Sequence, residues 1–241
     1  MFIFRSAFTK IVRMESLTPL ETLNKIKLKD LKTGSTFEAN TLWQKEPVLL
    51  LVVRRPGCQL CRQQSVKLAS YRDLITTNLG IKMIAIVREN LEGEVEEFNK
   101  DFWKGQVYLD EESSFNSSLG GGKVHVAGLN NFLKPSVWFN IRSTYKTNTK
   151  GNTKGDGYTT GGIYIINKGS KGVEFQYLEK VWGDYPPFEQ IIEVLEKISP
   201  NKDDPSVKSK VHETLEKIKK GEISYDINAP ACNRDSRECA L

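Results

Sequence analysis

The order of apolar and amphipathic segments predicts an α/β protein with a mixed sheet. Two continuous apolar runs, residues 48–53 and 81–87, are typical of strands that are buried on both faces. A segment with helical spacing follows each run, and strands that alternate with helices favour parallel pairing. The 241 residues, 39% of them hydrophobic, suit one domain with extensions and a sizeable core.

The other helices and strands are predicted from the spacing of apolar residues and from the glycine, proline and polar residues that end each segment. In chain order we expect a hairpin at 28–37, a helix at 58–79 ended by Gly80, a helix at 93–102, a strand at 106–109, a short helix at 111–119, partial helix at 129–145, a hairpin across 163–178 and a helix at 187–198. A glycine- and threonine-rich loop at 147–162 belongs to an insertion after the third central strand, and we expect it near the cysteine pair described below.

Composition divides the chain into three parts. Residues 1–24 form a leader, 25–199 the domain, and 200–241 a C-terminal extension with one amphipathic helix and a flexible tail. The extension helix spans 205–220, and its narrow apolar face favours packing on the domain over binding to a membrane. No apolar run approaches the length of a membrane span, so no transmembrane helix is expected.

The most informative motif is a Cys-x-x-Cys pair, Cys58 and Cys61, that directly follows the apolar run 48–53. Strand, tight turn, cysteine pair and helix is the layout of a thioredoxin-type redox site. The whole order therefore predicts a thioredoxin-like α/β sandwich with a mixed sheet, an insertion after the third strand and a C-terminal helical tail.

The chemistry of this site requires a thiolate, because a thiol is a poor nucleophile. A helix N-terminus favours an anion at Cys58, and the neighbouring Arg54, Arg55 and Arg62 add three cations. We expect Cys58, at an exposed helix start, to attack an oxidised substrate. Cys61, one turn further on, then closes a Cys58–Cys61 disulfide.

Other interpretations remain open for both pairs of cysteines. The pair is half of a zinc site if two further ligands approach it, although Cys232 and Cys239 are spaced poorly for this. It is otherwise a buried structural pair, which its three arginine neighbours disfavour. Cys232 and Cys239 form either a relay that reduces the Cys58–Cys61 disulfide or two exposed thiols without a fixed role.

The Arg-Arg-Pro-Gly-Cys-x-x-Cys-Arg motif at 54–62 resembles the signature of the peroxiredoxin-like 2 family. Further similar segments are Tyr-Leu-Asp-Glu at 108–111, the glycine-rich stretch 151–162 and Gly-Asp-Tyr at 183–185. The resemblance covers roughly residues 25–198. It implies a thioredoxin fold related to the alkyl hydroperoxide reductases.

The resemblance also implies an activity. One branch of the family, prostamide/prostaglandin F synthase, reduces an endoperoxide with its paired cysteines, and thioredoxin supplies the electrons. No bound cofactor is implied; electrons come from NADPH through thioredoxin reductase and thioredoxin or a similar dithiol. Peroxiredoxins proper carry Thr or Ser three residues before the reactive cysteine, whereas this chain has Arg55. That departure disfavours fast reduction of hydrogen peroxide.

The charge distribution and the number of cysteines indicate where the protein functions and what it binds. Four cysteines do not make a disulfide framework, so we expect a reducing compartment, the cytoplasm. Residues 1–14 resemble a mitochondrial presequence, with an unordered leader or an upstream start as the alternatives. The net charge of +5 conceals a segment, 113–155, that has six Lys or Arg residues and no acid. This segment either attracts an acidic ligand or is a solvated loop; no motif indicates nucleic-acid binding.

Three functions therefore compete. The first is a thiol oxidoreductase that reduces a small peroxide or a lipid endoperoxide through Cys58 and Cys61. The second is a redox-sensing regulatory or antioxidant protein with little turnover. The third is a thioredoxin-fold binding module, for which Cys58→Ser changes nothing beyond stability.

Overall fold

The computed structural model describes residues 16–128, 133–146 and 149–221. Seven strands lie within these residues: β1 Lys27–Asp30, β2 Thr36–Glu38, β3 Val48–Val52, β4 Lys82–Val87, β5 Gln106–Leu109, β6 Gly162–Ile166 and β7 Val173–Leu178. They form one mixed sheet in the order β2-β1-β5-β4-β3-β6-β7. The segment 1–14 that resembles a presequence and the tail cysteines Cys232 and Cys239 lie outside the described residues.

The centre of the sheet is parallel, as the alternation of strands and helices predicts. Strands β3, β4 and β5 run in one direction, and their C-terminal ends meet at one edge. The two predicted hairpins flank them: β1–β2 pairs with β5, and β6–β7 pairs with β3, all antiparallel. The mixed α/β sandwich is therefore confirmed.

Seven α-helices cover the sheet within the described residues: α1 Leu20–Asn24, α2 Gln59–Ala69, α3 Glu94–Glu97, α4 Ser114–Leu119, α5 Pro135–Lys146, α6 Phe188–Ile198 and α7 Pro205–Lys219. The single helix predicted at 58–79 is wrong in one respect, because α2 ends at Ala69 and a π-helical turn follows at Asp73–Asn78. Tyr71 N–H bonds the Leu68 carbonyl at 3.1 Å, which closes α2 with a tighter turn. The apolar spacing continues across this break and so conceals it.

The sheet buries apolar side chains on both faces. Along β3, Val48, Leu50 and Val52 face one cluster, and the alternate residues face the other. The first cluster includes Leu20 and Leu23 of α1, which lie in the predicted leader, so the packed unit begins before residue 25. Helices α2, α6 and α7 contribute to the second cluster, which includes the cysteine pair.

The extension helix α7 packs against its own domain, as expected. Val207, Val211 and Ile218 are buried in the second cluster, and α7 contacts α6. Asp204 caps the helix by accepting a hydrogen bond from Ser206 N–H at 2.8 Å. Among the described residues, no helix is both long and apolar enough to cross a membrane.

Candidate redox site

The cysteine pair lies at the C-terminal edge of the parallel strands. Strand β3 ends at Val52, and Cys58 is the N-cap residue of α2, with extended backbone angles of φ −72° and ψ 124°. Its sulfur accepts a hydrogen bond from Cys61 N–H at 3.4 Å. Cys58 therefore has the position predicted from the sequence, at a helix N-terminus where unpaired N–H groups favour an anion.

Cys58 is buried, and this corrects the expectation of an exposed thiol. Only 3% of the residue is accessible to solvent. The glycine-rich strap, defined here as residues 150–157, lies against the turn before α2: Asn152 N–H donates to the Gly57 carbonyl at 2.8 Å. A Cβ on Gly151 would lie 2.6 Å from Gln59 N, so only glycine allows this approach. The predicted proximity of the loop to the site is confirmed.

Arg54 is the cation that contacts the thiol. Its Nη2 lies 2.6 Å from the sulfur of Cys58, and its Nη1 donates to the Gly157 carbonyl of the strap at 2.6 Å. The guanidinium also lies over the Trp182 ring, 5.5 Å from its centroid. Arg54 therefore joins the thiol to the strap in a buried environment where charge interactions are strong.

Glu179 supports Arg54 from the opposite side. One of its carboxylate oxygens lies 3.9 Å from Arg54 Nε. Its oxygens also accept hydrogen bonds from Gly161 N–H at 3.1 Å and from Gly183 N–H at 2.7 Å. Burial raises the pKa of Glu179, while Arg54 and these N–H groups favour its ionised form. Glu179 lies just after β7, and the sequence contains no local signal for its role.

The environment gives the two thiols opposite protonation tendencies. The hydrogen bond from the Cys61 side chain lowers the pKa of Cys58 well below its ordinary value; burial opposes this shift, and the charge of Arg54 reinforces it. The same hydrogen bond raises the pKa of Cys61, and burial raises it further. These opposite shifts favour the thiolate at Cys58 and the protonated thiol at Cys61, which is the arrangement that the predicted division of roles requires.

Arg55 fastens the strap to the site. Its guanidinium donates to the backbone carbonyls of Asn152 and Lys154. The charge of Arg55 also lowers the pKa of Cys58. Its effect is smaller than those of Arg54 and of the hydrogen bonds from Cys61. Asn152 completes the contact by donating to the carboxylate of Glu94 at 2.7 Å.

Arg62 is directed away from the thiol, which corrects the role predicted for it. Its guanidinium bonds the Glu97 carboxylate at 2.6 Å and 3.1 Å, and donates to the Pro56 and Lys150 carbonyls. It also lies 4.7 Å from the centroid of the Phe102 ring. Arg62 thus ties α2 to the strap and to the helical segment that carries Glu97. A local cluster of arginines in sequence does not reveal which of them faces the sulfur.

Tyr185 is a further residue at the site. Its hydroxyl donates to the Leu60 carbonyl at 2.6 Å, one residue before Cys61. Burial and the nearby Cys61 raise the pKa of Tyr185 well above its ordinary value, so the hydroxyl keeps its proton. The sequence indicated this segment only through the Gly-Asp-Tyr resemblance at 183–185.

No group of three or more His, Cys, Asp or Glu residues suited to a metal ion lies within the described ranges 16–128, 133–146 and 149–221. The zinc alternative depends on Cys232 and Cys239, which fall outside those ranges.

Comparison with known proteins decides the family. A model of the AhpC/TSA antioxidant enzymes matches residues 67–181. Peroxiredoxin-like 2A of Gallus gallus is 36% identical over 182 residues, which cover 75% of this chain and 79% of the chicken protein. The chain belongs to the peroxiredoxin-like 2 family. The resemblance seen in the motifs is thereby confirmed.

Other peroxiredoxin-like 2 relatives agree. Peroxiredoxin-like 2A of Homo sapiens is 32% identical over 182 residues, covering 75% of this chain and 77% of the human protein.

A solved cysteine-to-serine mutant of peroxiredoxin 6 from Arenicola marina superposes with a TM-score of 0.50 at 15% identity, covering 76% of this chain and 72% of that one. This peroxiredoxin-like 2 chain therefore has a thioredoxin-like fold and belongs to a redox family. The AhpC/TSA match begins after Cys58 and Cys61, so their roles remain predictions.

Proposed function

We propose that this chain is a thiol-dependent oxidoreductase that reduces a peroxide, or a prostaglandin-type endoperoxide, through Cys58 and Cys61. The observation that carries the proposal is the Arg54 guanidinium 2.6 Å from the Cys58 sulfur. A buried cation at this distance favours the thiolate over the thiol and aligns a donor beside the reacting atom.

The first step is attack of the Cys58 thiolate on one peroxide oxygen. The S–O bond forms as the O–O bond breaks, and the second oxygen leaves as an alkoxide that takes up a proton. A hydroperoxide leaves as an alcohol and Cys58 becomes a sulfenic acid; an endoperoxide remains attached as a sulfenate ester. Arg54 donates hydrogen bonds at the place where the charge moves from sulfur to oxygen.

The second step is attack of Cys61 on the oxidised sulfur of Cys58. An S–S bond forms, the S–O bond breaks, and water or the second hydroxyl of a diol leaves with the proton of Cys61. The thiols lose two electrons in total, and the O–O bond gains them. An external dithiol such as thioredoxin then reduces the Cys58–Cys61 disulfide by exchange, with electrons that come from NADPH.

A second candidate function is supported by the burial of Cys58. A thiol that is only 3% exposed should be reached slowly by an oxidant, and Arg55 occupies the position of the peroxiredoxin Thr or Ser. Slow oxidation would then serve a regulatory or antioxidant role, in which partner binding depends on the redox state. Measured turnover separates the two candidates.

The test is NADPH consumption with thioredoxin and thioredoxin reductase, with prostaglandin H2 and a simple hydroperoxide offered side by side. We expect turnover in the wild type and none in Cys58→Ser. Cys61→Ser should stop after one turnover, with a sulfenic acid that dimedone traps on Cys58. A double Cys232→Ser and Cys239→Ser variant tests the tail relay and keeps the proposed site intact.

Turnover that persists in Cys58→Ser would exclude this assignment of the nucleophile. Absence of turnover on both substrates in the wild type, with slow oxidation of Cys58 by peroxide alone, favours the regulatory function. If peroxide does not oxidise Cys58 at all, the remaining hypothesis is the thioredoxin-fold binding module.

A further inference from the structure

The outer side of helix α5, together with Leu133 just before the helix, exposes large apolar side chains. Leu133 is 81% exposed, Trp138 57% and Phe139 72%. With Pro135 and Arg142 they line a cavity of about 380 Å³ that opens to solvent. We call the surface formed by Leu133, Trp138, Phe139 and Arg142 the α5 face.

This exposure is a property of one side of a packed helix. Val137 on the opposite side is fully buried, and Asn140 donates to the carbonyls of Trp182 and Gly183 at 3.1 Å and 3.0 Å. Val137 and Trp138 are neighbours in sequence and lie about 100° apart around the helix, so the first packs on the domain while the second is exposed. Because α5 is fixed to the domain by its inner side, its outward aromatic side chains are presented to solvent, and such clusters mark interaction surfaces.

Charge accompanies the apolar side chains. From Ser113 to Gly155 the chain has no Asp or Glu, while it has six basic residues: Lys123, Lys134, Arg142, Lys146, Lys150 and Lys154. Lys134 and Arg142 are both exposed, and they flank the aromatic pair on either side. The ligand of this face therefore has to combine negative charge with an apolar interior.

We propose that the α5 face docks on the surface of an anionic lipid bilayer. Trp, Phe and Leu enter the boundary between headgroups and acyl chains, while Lys and Arg pair with anionic headgroups. The exposed charged side chains at this face, Lys134 and Arg142, are both cations, and anionic headgroups can pair with both. Charge complementarity thus favours the bilayer as the occupant.

Docking here also sets the substrate class, a step that rests on the proposed function. The carbonyls that Asn140 binds belong to Trp182 and Gly183, beside Arg54 and Glu179 of the redox site. Helix α5 also contacts α2, whose first turn holds the cysteine pair. A bilayer at the α5 face would therefore hold peroxidised acyl chains one helix away from Cys58.

Tryptophan fluorescence makes docking directly measurable. All four tryptophans lie in the described residues, and Trp43, Trp103 and Trp182 are buried, whereas Trp138 is exposed. The purified chain is mixed with phosphatidylcholine vesicles, with or without phosphatidylserine, and co-sedimentation gives the affinity. Brominated acyl chains should quench the wild-type emission only in the presence of phosphatidylserine, and Trp138→Phe should abolish the quenching.

Two sets of variants separate the apolar and the electrostatic contributions. Trp138→Ser with Phe139→Ser should weaken vesicle binding by at least roughly tenfold, and Leu91→Ser, an exposed leucine elsewhere, is the matched control. Lys134→Glu with Arg142→Glu should weaken it by roughly thirtyfold or more, against Lys202→Glu as the control for charge. Circular dichroism verifies that each variant is folded.

Three results would overturn the proposal. The wild type does not bind anionic vesicles, the α5 variants bind vesicles as tightly as the wild type, or the α5 variants still bind vesicles but no longer bind a protein partner. The proposed function fails separately. Vesicle binding by a chain that reduces no hydroperoxide retains the docking site and refutes the oxidoreductase. Turnover of a water-soluble hydroperoxide by a chain that does not bind vesicles retains the oxidoreductase and refutes the docking site.

Discussion

The guanidinium of Arg54 and the sulfur of Cys58 form a contact of 2.6 Å between two buried residues. The four-residue separation places Arg54 just past the end of β3 and Cys58 at the first turn of α2. A carboxylate oxygen of Glu179 lies 3.9 Å from Arg54 Nε. The reactivity of Cys58 should therefore depend on this pair more than on the other arginines of the motif.

Arg54→Gln should raise the pKa of Cys58, because it removes the charge while it retains hydrogen-bond donors. A nearby opposite charge shifts a pKa by about 1–3 units. Since the wild-type pKa is lowered, the thiolate persists as the pH falls below about 8.5, and the variant should lose it over this range. Titration of the thiolate's ultraviolet absorbance measures the shift.

The matched control is Arg62→Gln, whose guanidinium bonds Glu97. It should leave the Cys58 titration in place while it lowers the stability of the fold. Equal displacement of the titration in both variants would contradict the separate roles assigned to the two arginines.

Glu179→Ala should destabilise the protein strongly. It removes a carboxylate that lies 3.9 Å from Arg54 and leaves the buried Gly161 and Gly183 N–H groups without their acceptor, at a cost of roughly 1–3 kcal/mol for each N–H group. Glu179→Gln keeps one carbonyl acceptor and should cost clearly less. Urea unfolding of the three proteins checks this order, and equal midpoints for alanine and wild type would refute it.

Gly151→Ala should loosen the strap over Cys58. Its Cβ would meet the backbone of Gln59 at 2.6 Å, which cannot yield as a flexible side chain does. Overpacking of this kind costs about 1–3 kcal/mol, and the strap should move to relieve it. Alkylation of Cys58 by iodoacetamide should become faster.

Gly128→Ala is the control for this substitution, because a Cβ there meets no atom within 4 Å. Its alkylation rate should equal that of the wild type. A slower or unchanged rate in Gly151→Ala would mean that the strap does not limit access to the thiol.

Asp156 makes the attachment of the strap dependent on pH. Burial opposes its ionisation, but hydrogen bonds from Thr159 and Tyr158, with the charge of Arg88, lower the pKa of Asp156 to about 2. A lowered folded-state pKa gives stability above the unfolded value of about 3.9. That stability is lost as the pH falls through about 2.

Asp156→Asn should therefore be less stable than the wild type near neutral pH, and the difference should shrink between about pH 4 and pH 2. Urea unfolding at a series of pH values measures it. A difference that stays constant across this interval would assign the effect to the hydrogen bonds alone.

Much of the fold could be predicted because local pattern and long-range packing agree there. The apolar runs 48–53 and 81–87 become buried parallel strands, and the hairpins and closing helices occupy their expected positions. The break after Ala69 was missed, since one apolar face continues through it. The outward position of Trp138 could not be predicted, because helical spacing does not tell which side of a helix meets the domain.

The sequence by itself determined the cysteine pair, its place after a buried strand and its position at a helix N-terminus, because these depend on neighbouring residues alone. Only the tertiary structure decided that Cys58 is covered, that Arg54 and not Arg62 contacts it, and that Glu179 supports Arg54. The strap lies about a hundred residues beyond Cys58 in the chain, and Glu179 lies further still. Contacts between such distant residues are set by the sheet order, which brings β6 and β7 beside β3 and so places their flanking residues next to Arg54 and the turn that carries Cys58.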